Sequence, residues 1–372
     1  MDNLTHSLVG LAAAKAGLGR VSPYATFVCV AAANLPDADI VALAGGPTYY
    51  FANHRGITHS IVGTLVLGVA FPLLVFAFER LVARVRGREP RARLRGLMLC
   101  SLLLIASHPL LDWTNSYGLR PFLPWDGRWI YGDLLFIADP WIWLVTGGAC
   151  FLLTARTRLR TAAWALLALA AFGVFFIFTG RGAARGAPFE YALWLAGLAL
   201  FVVLHLRRAG ARFGWKLAAA SLAFVFAYCC GLSVLHARAQ GYAEQFAADP
   251  LAANGDRVVR VAATPTAANP RVWRCLAETT RSTFRFDVVL GDSSTREPLD
   301  LVAYEKPSGE AATLVSRAST DGRARVLLDF ARFPVARVRR NDSGGWVVQF
   351  ADIRFTEPGS RRSTFALDVP IE

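Results

Sequence analysis

Residues 54–82 read HRGITHSIVGTLVLGVAFPLLVFAFERLV. The longer part, Ile61–Val82, is an apolar run whose only charges, Glu79 and Arg80, stand near its end. A helix needs about 20 such residues to cross a bilayer, so the run predicts a membrane span. The shorter part is different in kind, because His54, Arg55, Thr58 and His59 set polar and ionisable groups directly against that span. Ionisable groups embedded in membrane-grade sequence are costly and mark a functional site by default.

Comparable runs lie on either side. Leu94–Trp113, Ala138–Ala155, Thr161–Gly180, Pro188–Leu206 and Lys216–Ala237 each have the length and apolarity of a span. Two weaker runs precede them: Leu4–Leu18 is short, and Pro23–Leu43 is interrupted by Asn34, Pro36, Asp37 and Asp39. Both suit positions packed against other helices around a polar site. The expected fold is mainly α: a polytopic transmembrane bundle of about eight helices over residues 1–237.

Composition agrees. The 372 residues are 54% hydrophobic and 18% charged, too apolar for an ordinary soluble enzyme. The net charge of +13 suggests a nucleic-acid partner until its distribution is read. Up to Ala237 there are 21 Lys and Arg against 10 Asp and Glu, and after it 19 against 17. The excess falls in short loops between apolar runs, as topology requires, so no nucleic acid is expected as a stable partner. Arginine-rich loops at 80–95, 156–160 and 207–216 alternate with poorer ones holding Arg120 and Arg128, then Arg181 and Arg185. The rich loops belong to the cytoplasm, which places His54, His59, His108 and Asp112 at extracytoplasmic helix ends. Carried back past Lys15 and Arg20, the same alternation puts His6, Asp37 and Asp39 on that face too.

The six cysteines give no disulfide framework, since Cys29, Cys100, Cys150, Cys229 and Cys230 lie in apolar stretches and Cys275 stands alone. Asp2 and Asn3 occupy the place of a signal peptide's basic region, and Lys15 interrupts the first apolar run. Residues 238–372 read as a small β-rich extracytoplasmic domain. Arg257–Ala263, Arg271–Thr279, Thr283–Leu290, Leu299–Lys306, Ala324–Phe330, Trp346–Phe355 and Thr364–Val369 are short runs rich in Val, Phe and Leu. Turn signals at Gly291-Asp292-Ser293-Ser294, Pro307-Ser308-Gly309 and Asp342-Ser343-Gly344-Gly345 separate them. With no histidine after His236, no catalytic site is expected there.

The candidate ligands are His6, Asp37, Asp39, His54, His59, His108 and Asp112, residue types that bind divalent metal. His108 and Asp112, four apart on a helix, leave the same face one turn apart. They suit one ion, two ions bridged by Asp112, or a plain hydrogen bond at a helix end. His54 and His59 are five apart, too far round a continuous helix to point together. Gly56 suggests a loop entering a helix near Thr58, whose hydroxyl would be the N-cap. Pro36 disfavours helix at Leu35 and predicts a break that frees Asp37 and Asp39. Arg55 is a candidate contact for an anionic substrate oxygen or a lipid headgroup. Asp133 or Asp139 would complete a coordination sphere, although Asp139-Pro140 is also an ordinary helix start. Each residue alone has a structural reading; ligand types on four segments at one face point to a joint site.

Asn3-Leu4-Thr5-His6-Ser7, Leu35-Pro36-Asp37-Ala38-Asp39, His54-Arg55-Gly56-Ile57-Thr58-His59-Ser60 and Ser107-His108-Pro109-Leu110-Leu111-Asp112 together resemble the signature of the YdjM-like family. Its members are bacterial inner-membrane proteins described as candidate metal-dependent hydrolases. The resemblance covers roughly the first 140 residues. More distantly, the order His, Asp, His, His-x-x-x-Asp is similar to that of zinc-dependent phospholipase C and the P1-type nucleases. That likeness implies His6, one of Asp37 or Asp39, one of His54 or His59, and His108 with Asp112 as ligands. No histidine follows Asp112 until His205, so one or two ions, zinc first among them, are expected rather than three.

Two functions follow as expectations. One is a membrane-bound metal-dependent hydrolase, phosphoesterase-like, in the bacterial inner membrane, acting on a phosphoester or lipid-linked substrate among membrane lipids. Metal-activated water would attack, with Asp37, Asp39, Arg55 and Asp112 as catalytic groups. The other is a non-enzymatic transport or sensing protein using the His/Asp cluster for ions. His-Glu-x-x-His and Gly-x-Ser-x-Gly are both missing, which argues against zincin-type proteases and serine hydrolases.

Overall fold

The computed structural model describes residues 1–180, 188–252, 256–291, 298–341, 344–359 and 364–371. Arg181, Arg185 and the turn residues Asp292, Ser293, Ser294, Asp342 and Ser343 lie outside the described residues.

All eight apolar stretches are helical. They form α1 (Asn3–Ala16), α2 (Ala25–Ala32) with the 3-10 segment Leu35–Gly45, α4 (Ile61–Val85), α5 (Leu94–Trp113), α6 (Pro140–Thr154), α7 (Arg158–Gly180), α8 (Pro188–Leu206) and α10 (Trp215–Ala252). Short helices α3 (Pro47–Asn53) and α9 (Ala209–Phe213) lie between them. Among the described residues, five helices are long and apolar enough to cross a membrane: α4, α5, α7, α8 and α10. The pair formed by α2 and Leu35–Gly45, bent by 48°, would make a sixth. The remaining two stretches fall short of eight full spans for a geometric reason. At 1.5 Å per residue, α1 (14 residues) and α6 (15 residues) reach little more than about 20 Å of a roughly 30 Å hydrocarbon layer.

The chain divides into two compact units. The first comprises Met1–Asp39, Arg55–Ser233 and Thr266–Asn269. In it α1 packs on α2 and α6, α2 on α5, and α5 on α4. The core is built of small residues: Ala13, Ala14, Ala25, Ala32, Ala33, Cys29 and Cys100, with Val28, Leu97 and Ile105. Small side chains let helices approach closely where dispersion, not water exclusion, holds them together. Gly10 shows how closely, because a Cβ there would stand 2.7 Å from the Cys29 carbonyl oxygen.

Local signals set the helix boundaries. Asp2 caps α1 by accepting the Thr5 N–H, and Asp139 caps α6 by accepting those of Trp141 and Ile142. Pro140 at the first helical position needs no N–H partner. The helix start expected at Thr58 is instead at Ser60, whose hydroxyl accepts the Gly63 N–H and donates to the Ile57 carbonyl. Thr58 sits inside a preceding 3-10 turn, Ile57–His59, and its hydroxyl is used elsewhere.

The second unit comprises Ile40–His54, Val234–Pro265 and Pro270–Glu372. Strands β1 (Val258–Pro265), β2 (Val272–Thr279), β3 (Ser282–Val289) and β4 (Leu299–Glu305) form an antiparallel meander. Strands β5 (Pro334–Arg340), β6 (Trp346–Asp352) and β7 (Ala366–Ile371) form a second. Helices α11 (Gly309–Ala318) and α12 (Gly322–Phe330) lie between the two in sequence. Ala262 and Leu276 from one sheet meet Phe333 and Ile353, beside the other, in a shared core.

The strand expected at Ala324–Phe330 is helix α12. Asp321 caps it through the Arg323 and Ala324 N–H groups, and Ala324, Leu327 and Phe330 bury one face at a spacing of three. That period fits a helix, not a strand. Strand β5, where Ala336 and Val338 alternate with the exposed Arg337 and Arg339, carries no apolar run that marks it in the sequence.

Candidate metal centre

Four side chains from three segments of the first unit converge. Asp37 lies next to Pro36 in the 3-10 segment Leu35–Gly45, which begins after α2 has ended at Ala32. His59 ends the Ile57–His59 turn, which folds tightly against the start of α4. A Cβ on Gly63 would lie 1.8 Å from the Ile57 carbonyl oxygen, so only glycine permits the approach. His108 and Asp112 stand one turn apart on α5.

Five of the six separations among their facing atoms are those of a tetrahedral ion's ligands. His59 Nε2 lies 3.1 Å from His108 Nε2. Asp37 Oδ1 is 3.4 Å from each of those nitrogens. Asp112 Oδ2 is 3.3 Å from His59 Nε2 and 3.5 Å from His108 Nε2. A tetrahedral ion with zinc-type bonds of about 2.0–2.1 Å separates its ligand atoms by about 3.3–3.4 Å. All four donors lie within 4.8 Å of one another and form a group that could hold a metal ion.

The protonation pattern leads to the same conclusion. His108 Nδ1 is 2.7 Å from the Ala33 carbonyl oxygen, which can only accept. Nδ1 therefore carries the proton and Nε2 a lone pair. His59 Nδ1 is 3.0 Å from Thr58 Oγ1, and that hydroxyl donates to Asp39 Oδ2 at 3.4 Å. The chain of donors puts the His59 proton on Nδ1 as well. Burial pushes the His59 imidazole down to about 4, with the Asp37 carboxylate opposing, so the ring is neutral near pH 7. Two lone pairs and two carboxylate oxygens thus face one another. Such a set fits a cation, and the outward N–H of each ring is anchored as in known metal sites.

Arg55 secures one carboxylate. In the left-handed backbone region at φ 54, it sends its N–H to Asp39 Oδ2 at 2.9 Å. Its Nη2 donates to Asp112 Oδ1 at 3.0 Å and its Nη1 to Asn115 Oδ1 at 2.9 Å. The Tyr117 ring lies 4.7 Å below the guanidinium. Asp112 is thereby held by one oxygen while the other faces the histidines. The Met1 amino group also donates to Asp112 Oδ1.

The remaining expected residues are placed as follows. His6 is fully buried, with its ring stacked on His108 at 3.7 Å and its Nε2 3.3 Å from Asp112 Oδ1. It stands beside the four, not among them. Asp39 orients His59 through Thr58. His54 belongs to the second unit, at the end of α3, with its ring stacked on Tyr50 at 4.8 Å. Asp139 serves as a helix cap and accepts the Tyr228 hydroxyl. Sequence reasoning missed the Ala33 carbonyl and the Tyr117 ring. A backbone carbonyl leaves no trace in residue type, and Tyr117 lies beyond the end of α5, outside the quoted motifs.

Residues 1–184 match the family described as YdjM inner membrane protein. The uncharacterized protein YfhP of Bacillus subtilis (strain 168) is 29% identical over 154 residues, covering 39% of this chain and 43% of that protein. The chain therefore spans less than half the length of that relative. No solved structure matches. The matched region contains all four converging side chains, and over residues 1–184 this multi-pass membrane protein is similar to the YdjM inner membrane protein family, in agreement with the motif resemblance.

Proposed function

We propose that this protein is a membrane-bound metal-dependent hydrolase acting on a phosphoester or lipid-linked substrate. The observation that carries the reading is the convergence of His59 Nε2, His108 Nε2, Asp37 Oδ1 and Asp112 Oδ2 as lone-pair donors at tetrahedral spacing. These four residues would hold a divalent cation, zinc first by this donor set, which would supply Lewis acidity towards an ester oxygen and towards water near neutral pH.

The chain's own groups do the rest. Three of the four donor side chains are sealed, whereas Asp37 is 15% exposed. Asp37 thus stands on the side by which water and substrate arrive and is placed to take a proton from the attacking water. Arg55 and Asn115 keep Asp112 in position, and Asp39 keeps His59 in the required tautomer. The arginine-rich loops support an extracytoplasmic location for the centre and the β-rich region, within reach of lipid headgroups. Alkaline phosphatase fused in the loop after Arg86 should be inactive, and fused near Gly127 active; the reverse would invert the orientation.

The test of the reaction is turnover of a phosphoester panel, lipid-linked and soluble, by purified protein. Metal-dependent turnover lost in His59→Ala and Asp112→Ala, with folding intact, is expected. Undiminished turnover in both contradicts the mechanism. A second reading, an ion-binding transport or sensing protein, is favoured by the burial of three of the four donors. Metal-dependent ion flux in proteoliposomes without hydrolysis would select it.

A further inference from the structure

Asp112 has two oxygens with different surroundings. Oδ2 faces the two imidazoles of the tetrahedral group. Oδ1 faces His6 Nε2 at 3.3 Å and the Arg55 guanidinium at 3.0 Å. Among the described residues, neither His6 nitrogen makes a hydrogen bond, although the ring is fully buried. A carboxylate oxygen beside a buried, unbonded imidazole nitrogen is half of a second cation site. In two-metal hydrolases a carboxylate of this kind bridges ions about 3.5–4 Å apart. Here the groups on that oxygen are the Arg55 guanidinium and the Met1 amino group.

We infer that the centre holds a single divalent cation and that Arg55 takes the place of a second, an inference that rests on the metal-centre reading above. Arg55 is then a positioning residue: its forked guanidinium fixes Asp112 through Oδ1, leaves Oδ2 to the ion and, beside the Met1 amino group on the same oxygen, bars a second ion from Oδ1 and His6. His6 supports the centre by stacking on His108 and does not ligate the resident ion.

The test is a metal count on the purified full-length protein, stripped, saturated with Zn2+ and desalted. Wild type, Arg55→Lys and His6→Ala should each retain one ion per chain. Arg55→Gln should retain two, falling back to one in Arg55→Gln with His6→Ala. Two ions in wild type, or loss of the ion in His6→Ala, overturns the inference while leaving the metal centre in place. One ion in folded Arg55→Gln overturns the role given to Arg55. No ion in wild type overturns the metal-centre reading and this inference with it. If Arg55→Gln does not fold, the wild-type and His6→Ala counts decide.

Discussion

His59 Nε2 and His108 Nε2 face each other across 3.1 Å, each with its ring proton engaged on the far side. Neither nitrogen can donate to the other. The pair, flanked by Asp37 and Asp112, keeps its geometry because α5, the Ile57–His59 turn and the break after α2 each hold one part of it.

Asp39 acts on the centre through Thr58 and the Arg55 backbone N–H, without being one of the four donors. Asp39→Asn should weaken metal affinity by about 10–100-fold, the usual effect of losing a group that orients a ligand. A competition titration against a chelator of known affinity measures it, and unchanged affinity would remove Asp39 from the centre.

Gly63 admits the turn that carries His59. Gly63→Ala drives a methyl into the Ile57 carbonyl, so the turn must shift. Overpacking of this kind costs typically about 1–3 kcal/mol. Reduced thermal stability together with weaker metal binding is expected, whereas Gly173→Ala, where a Cβ meets nothing within 4 Å, should leave binding unchanged.

In the second unit Arg354 Nη2 pairs with Asp352 Oδ2 at 2.6 Å, both side chains fully buried, and also donates to the Phe330 carbonyl. Arg354→Met strands a buried carboxylate and should cost about 3–5 kcal/mol. Replacing both partners with apolar residues should recover much of that loss. Denaturant unfolding followed by Trp fluorescence checks both variants.

Asp256 ties the turn between β2 and β3 by accepting from Thr279, Thr280 and the Arg281 N–H. Burial pulls its carboxyl upward, but these hydrogen bonds outweigh it and hold the group below its usual range. A carboxyl depressed in the folded state binds its proton more readily when unfolded. Its stabilisation is therefore complete above the ordinary aspartate value of about 4 and is lost as pH falls through the lower folded value. Asp256→Asn should destabilise the unit at neutral pH and flatten the acid limb of its stability curve; an unchanged limb would contradict this.

Much of the first unit was legible because its signals are local and strong. Apolar runs located the helices, Pro36 the break after α2, and the four-residue spacing the His108–Asp112 pair. What the residues could not decide was which of Asp37 or Asp39, and His54 or His59, belongs in the cluster. Those choices depend on backbone turns: Gly63 and Ser60 fix the direction of His59, while His54 falls in the other compact unit. The two short helices show the limit of hydropathy, since α1 is apolar because it is packed among neighbours. In the tail, a helix with buried residues every third position was read as a strand because its run was brief and rich in Leu and Val.

The central claim is that Asp37, His59, His108 and Asp112 hold a divalent metal. Metal content of the purified full-length protein, wild type against His108→Ala, tests it most directly. A stoichiometric divalent ion is expected in wild type and its loss in the folded variant. No bound metal in wild type, or equal metal in both proteins, would contradict it.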